Sequence, residues 1–135
     1  MPIDFPSNPS SGETYSYAGQ QWQFNGVAWD KIITANFAIF ATTSVTGATY
    51  AALAFDYYIG VSYAGPVTIT LPANPETGRE IVVKDESGNA GGGTSRRITI
   101  VGATAAHTID NQSSAIINLD NAGLHFIYRS GWRII

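Results

Sequence analysis

The chain has 135 residues, a formal net charge of −3 and no cysteine. That length favours one compact domain, or one domain with a small appended module. The missing cysteine excludes disulfides, thiolate metal sites and thiol catalysis. The acidic balance argues against a nucleic-acid partner, because Arg96 and Arg97 form the only adjacent basic pair.

Charged residues make up 13% of the chain, about half the usual share, while 44% are hydrophobic and 14 are glycine. This mixture suits an all-β protein with many turns. Low charge combined with many aromatics argues against disorder, and it leaves a surface that partners are expected to cover. The N-terminal stretch has no basic segment followed by an apolar run, so no secretion signal is expected. The charge-free run from Ile32 to Phe55 is interrupted by Asn36, Thr42, Thr43, Ser44, Thr46, Gly47 and Thr49, and is too polar for a membrane span. The expected site of synthesis is therefore the cytoplasm, with no membrane partner.

Residues 1–13 contain Pro2, Pro6 and Pro9 among serine and asparagine. Proline fixes φ and removes a hydrogen-bond donor, so this segment reads as an extended arm. Ile3 and Phe5 are apolar anchors that need a surface, and the arm is expected to lie along a neighbour. Residues 14–31 read as a three-stranded meander with turns at Ala18-Gly19 and Asn25-Gly26. Two-residue loops would set Tyr15 opposite Trp22, Trp22 opposite Trp29, and Phe24 opposite Val27. One face then carries Tyr15, Tyr17, Trp22, Phe24, Val27 and Trp29, and the other carries Gln21 and Gln23. An isolated meander of this size is not stable on its own, so its aromatic face is expected to pack on something else. Arm and meander together form a docking module over residues 1–33, with Ile3, Phe5, Tyr15, Trp22, Phe24 and Trp29 as its partner-docking residues.

Residues 34–55 read as a low-charge connector with an edge strand, with strand alternation in "NFAIFATTSVT" and either a helical turn or a short strand in "TYAALAF". From Ile32 to Pro75 there is one charged residue, Asp56. A solvated surface usually shows both signs of charge, so this region is expected to be buried, in part against other subunits. Residues 56–135 read as short strands with frequent turns: an antiparallel β-sandwich, barrel or prism that serves oligomerisation. No fixed-length repeat is visible. "GNAGGG" at 88–93 reads as a hairpin loop, because the Lys-Ser/Thr of a phosphate loop does not follow it. Asn-Ala-Gly at 121–123 and Ser-Gly at 130–131 mark the last two hairpins.

The residues with chemical potential do not assemble into a reactive set. His107 and Asp110 are spaced as two metal ligands could be, but a turn histidine of this kind is more often structural, and no metal or other cofactor is expected. Ser130, His125 and Asp120 lack a nucleophile-elbow pattern. Asp85 and Glu86 point to opposite faces if they lie in a strand, and at a turn they are expected to be solvated. Sugar stacking on Trp22 and Trp29 is disfavoured, because Gln21 and Gln23 fall on the opposite face. The expected class is a non-enzymatic protein.

Two stretches carry a resemblance. "FPSNPSSGETYSYAGQQWQFNGVAWDK" is similar to a module in virion structural proteins of tailed bacteriophages, cyanophages especially, through Phe5, Pro6, Pro9, Gly12, Tyr15, Trp22, Asn25, Gly26 and Trp29. Thr68–Pro72, Gly78–Val82, Lys84–Ala90 and Gly131–Trp132 resemble the strands and turns of phage fibre and head-decoration domains. The resemblance implies a virion location and a homotrimer. It also implies contact with other virion proteins such as the major capsid protein or a tail protein. The leading expectation is a homotrimeric capsid decoration (cement) protein. A short tail or head fibre is the alternative, and a module recognising a host-surface glycan is a third. The matched motifs are structural, so no binding site transfers with them.

Overall fold

The computed structural model describes residues 3–32 and 40–135. It is all-β and divides into two compact units, Met1–Ala38 and Ile39–Ile135. The expected boundary at 33/34 and the opening of the "NFAIFATTSVT" strand lie outside the described residues. No helix is present among the described residues, hence none long and apolar enough to cross a membrane.

The N-terminal unit is a meander of β1 (Thr14–Tyr17), β2 (Gln20–Phe24) and β3 (Trp29–Ile32). The first turn matches the sequence expectation. Ala18 and Gly19 both adopt positive φ (50° and 77°), and Tyr15 lies opposite Trp22. The second turn does not. Phe24 pairs with Trp29 and Trp22 with Lys31, so the loop has four residues, Asn25 to Ala28. A two-residue type I′ turn needs positive φ at both central positions, and here only Gly26 has it, at 97°. Asn25 instead uses its side chain. Its Oδ1 accepts the Val27 and Ala28 amides at 2.9 Å each, and its Nδ2 donates to Asp30 Oδ2 at 2.8 Å. The register slips by two residues, so side-chain facing is preserved. Trp29 keeps to the aromatic face, and Val27 leaves it for the loop, where it is 89% exposed.

The second unit has nine strands: β4 (Thr42–Val45), β5 (Thr49–Ala51), β6 (Tyr58–Val61), β7 (Val67–Thr70), β8 (Glu80–Asp85), β9 (Ile98–Val101), β10 (Ser114–Ile117), β11 (Gly123–Tyr128) and β12 (Trp132–Ile134). They form a five-stranded sheet, β12-β11-β8-β6-β4, and a four-stranded sheet, β10-β9-β7-β5. Neither closes into a barrel. Residues 42–51, expected as a connector with one edge strand, supply an edge strand to each sheet.

The expectation of a purely antiparallel domain is corrected. β4, β6 and β8 run parallel in one sheet, and β5, β7 and β9 run parallel in the other. From β4 to β9 the chain alternates between the two sheets at every connection, so it winds in three two-strand coils. Parallel neighbours need a long crossover, and here each crossover contains a strand of the opposite sheet. β10, β11 and β12 then close the winding with antiparallel pairing. Thr42 lies beside Tyr58 and Tyr58 beside Val82, offsets of 16 and 24 residues. Those unequal coils explain why no fixed repeat is visible in the sequence. They also correct two turn assignments, since "GNAGGG" and Asn121–Gly123 are crossovers between sheets. Ser130-Gly131 does join a hairpin, β11 to β12.

The strands alternate buried and outward residues, and Ile59, Val61, Ile69, Ile81, Val83, Ile98, Ile100, Phe126 and Trp132 fill the space between the sheets. β-branched residues suit such positions because they pack densely on a pleated surface.

Candidate functional site

Three features of the described residues bear on function: the aromatic face of the meander, two buried carboxylates, and the unlike outer faces of the β-sandwich.

The aromatic face already has an occupant. Phe5 of the arm sits among the rings, with centroids 5.5 Å from Tyr15, 5.5 Å from Trp22 and 5.2 Å from Trp29, the last nearly parallel at 10°. Phe24 packs on Trp29 at 5.5 Å. Trp22 is buried, and Phe5, Tyr15, Phe24 and Trp29 are half-buried. The arm, expected to lie along a neighbour, thus folds onto its own meander. Its path is tied by hydrogen bonds from the Gly12 amide to the Phe24 carbonyl and from the Phe24 amide to the Glu13 carbonyl. Five of the six predicted docking residues therefore share one cluster. Ile3 stays exposed outside it, and Tyr17, Val27 and Ile32 of this unit are also exposed.

Asp56, the lone charge between residues 32 and 75, is fully buried. Its carboxylate accepts from Thr43 Oγ1 (2.6 Å), Tyr50 OH (2.7 Å) and the Leu53 amide (2.8 Å), while its carbonyl accepts from Arg79 Nη2. It therefore ties β4 to β5 across the first coil. Burial raises its pKa, but the hydrogen bonds from Thr43, Leu53 and Tyr50 and the charge of Arg79 outweigh burial and hold it below the ordinary carboxylate value. Tyr50 is pushed up by burial and by its bond to Asp56.

Asp85 is also buried, which corrects the expectation of a solvated acidic pair. It accepts from the Ser87 amide and hydroxyl, the Ala90 amide and the Asn121 amide at 2.7–3.2 Å. Burial opposes its ionisation, and those four donors more than compensate, so its pKa too is lowered. It binds the β8–β9 crossover to the β10–β11 crossover. Glu86 is exposed and accepts from Tyr58 OH at 2.8 Å; that bond, then burial, raises the Tyr58 pKa.

The other candidate groups are engaged separately. His125 Nε2 lies 3.1 Å from Glu80 Oε2, Asp120 Oδ1 accepts the Gly91 amide, and Asp110 Oδ2 accepts the Ile134 amide. His107 packs edge-on to Tyr128. Among the described residues, no group of three or more histidines and carboxylates is placed to hold a metal ion.

The two outer faces of the sandwich differ in charge. On the four-stranded sheet the outward rows are Thr49–Thr68–Thr99–Ile116 and Ala51–Thr70–Val101–Ser114, with Thr49, Ala51 and Ile116 exposed and the others half-buried. Neither row contains a charge. On the five-stranded sheet the outward positions include Glu80, Lys84, His125 and Arg133.

No family model matches the chain, and no curated protein matches it. Among solved structures, a chain described as "Structure of a chaperone-substrate complex" matches at 18% identity with a TM-score of 0.48. The match covers 86% of this chain and 21% of that one.

Proposed function

We propose that this protein is a non-enzymatic structural component of a tailed-bacteriophage virion, a homotrimer that decorates the capsid. The observation that supports the reading most is the uncharged threonine-rich face of the four-stranded sheet. It stands opposite a charged face, in a protein whose only charge between residues 32 and 75 is buried. A face without charge is suited to a partner equally without charge, and a second and third copy of the same face meet that need. The N-terminal unit, with Ile3, Tyr17 and Val27 exposed, is the part we assign to contact with the major capsid protein.

Sedimentation of the purified chain tests the oligomer. The wild type should have the mass of a trimer, and Thr68→Lys with Thr99→Lys should dissociate it without unfolding. A monomeric wild type, or a charged variant of unchanged mass, would refute this assignment of the face.

A short tail or head fibre is the second reading. It is favoured by the division into a small arm-bearing unit and a larger β unit, which suit a mount and a tip. Copy number in purified particles separates the two. A decoration protein scales with the capsid lattice, and a fibre follows the symmetry of the tail or a vertex.

A further inference from the structure

A cleft of about 660 Å³ opens on the β unit and is lined by Phe40, Phe55, Tyr57, Glu76, Arg79 and Glu80. We propose that this cleft binds a sugar ring, neutral or bearing an amine, by stacking it on the exposed aromatics and holding its hydroxyls with Glu76 and Glu80. The proposal does not depend on the virion reading.

Sugar recognition needs an open aromatic surface and polar acceptors on the same side of it. The meander fails that requirement, because its glutamines lie opposite its tryptophans and Phe5 covers the rings. The cleft meets it. Phe40 stacks on Tyr57 with centroids 4.0 Å apart and 21° between planes, yet stays 56% exposed, so one ring face is covered and the other is open. Phe55 is 68% exposed beside it. Phe40, Phe55 and Tyr57 line the same cleft, and grouped exposed apolar surface of this kind marks ligand grooves and interaction sites.

The acceptors are well placed. Glu80 engages His125 through Oε2, which leaves Oε1 for a ligand hydroxyl. Glu76 makes no side-chain hydrogen bond among the described residues. The Glu76–Arg79 turn is closed by its own hydrogen bond and held to β11 at Gly78 and Arg79. The Arg79 amide donates to the Glu76 carbonyl, the Gly78 amide to the Tyr128 carbonyl, and the Tyr128 amide to the Arg79 carbonyl. Binding groups on a fixed turn lose little entropy when they engage a ligand.

The charge of the cleft selects among sugars. Arg79 donates to the Asp56 carbonyl and its charge acts on the buried Asp56 carboxylate, so Glu76 and Glu80 leave the opening net negative and a sugar acid would be repelled. Glu76 and Glu80 flank the exposed rings of Phe40 and Phe55 in the cleft lining, which suits a ligand that stacks one face and leaves the other in water. A wholly apolar ligand would remain largely exposed there.

Calorimetric titration of the intact chain with N-acetylglucosamine, glucosamine and N-acetylneuraminic acid tests the proposal, with a glycan array extending the search to longer chains. Binding of a neutral or amino sugar, weakened at least tenfold by Phe55→Ala and by Glu76→Gln, is the expected result. Both positions are exposed, and unchanged melting curves will show that the variants fold. Failure of every saccharide to bind, preference for the acidic sugar, or binding unaffected by both substitutions would overturn it. Displacement of the bound sugar by an apolar probe but not by a second saccharide would also count against it. Trimer mass and particle incorporation should be unchanged in Phe55→Ala, so a failed sugar site and a failed virion assignment remain distinguishable.

Discussion

The two units bury apolar side chains on a sheet by different means. Residues 40–135 pack aliphatic rows between two sheets, and seventeen buried apolar residues form one cluster there. Residues 3–32 have a single sheet and one buried hydrophobic residue, Trp22. That unit replaces the missing second sheet with a phenylalanine carried in by an arm without secondary structure. A two-sheet sandwich distributes its stability over many small contacts. The meander concentrates it in a few large rings, so single substitutions should act on the two units unequally and separately.

The largest expected effect is in the sandwich. Phe126 is fully buried between the sheets, and Phe126→Ala should cost about 3–5 kcal/mol through lost burial and an unfilled cavity. Denaturant melts should show the loss. Hydrogen exchange should place it in residues 58–134, with Tyr15 to Lys31 unaffected. Spread of the exchange into the meander would break the separation of the two units.

Asp56→Ala should follow closely, at about 3 kcal/mol, because Thr43, Tyr50 and the Leu53 amide would all lose a buried acceptor. The same carboxylates predict a pH dependence. The folded-state pKa values of Asp56 and Asp85 are lowered from 3.8, so the stability they confer is full above the unfolded value. It is lost as the pH falls below 3.8 through the folded values, because the unfolded chain takes up protons first. The urea midpoint should therefore fall between neutral pH and about pH 3, and Asp56→Asn should flatten that fall.

Phe5→Ala comes next, at about 2 kcal/mol, since the ring touches three aromatics but is only half-buried. It should loosen Tyr15 to Lys31 in hydrogen exchange and leave the sandwich melt unchanged. An unchanged meander would mean that the arm is dispensable to this unit and free to dock elsewhere.

How much of this is legible in the sequence differs by feature. The alternation of "PVTITL" and "EIVVKD" marks β7 and β8 almost to the residue, because one-sided burial imposes period two. Strand direction is not legible. Parallel and antiparallel strands with the same burial share one pattern, and unequal coils of 16 and 24 residues hide the winding. Asp56 offers a signal that is easy to underuse. A lone carboxylate in an otherwise charge-free run has no charged surface around it and is better placed inside a network of donors. The cleft could not be found from sequence, because Phe40, Phe55 and Glu76 come together only through the crossover between coils.

The smallest effect is the most informative about register. The chain reads as though Asn25-Gly26 formed a two-residue turn, yet Asn25 caps a four-residue loop with its side chain. Phe24 faces Trp29 across that loop, so deleting Val27 and Ala28 would leave Phe24-Asn25-Gly26-Trp29, a two-residue loop between the same partners. Asn-Gly is well suited to the tighter turn, and the deletion removes the most exposed apolar residue of the unit. The expected change in stability is within about 1 kcal/mol, because the turn gained offsets the side-chain bonds lost. Cross-strand NMR contacts between Phe24 and Trp29 should persist, and the contacts of Phe5 with Trp22 and Trp29 should survive with them. If Trp29 instead moved opposite Trp22, the loop and not the aromatic cluster would be setting the register, and Phe5 would lose its seat.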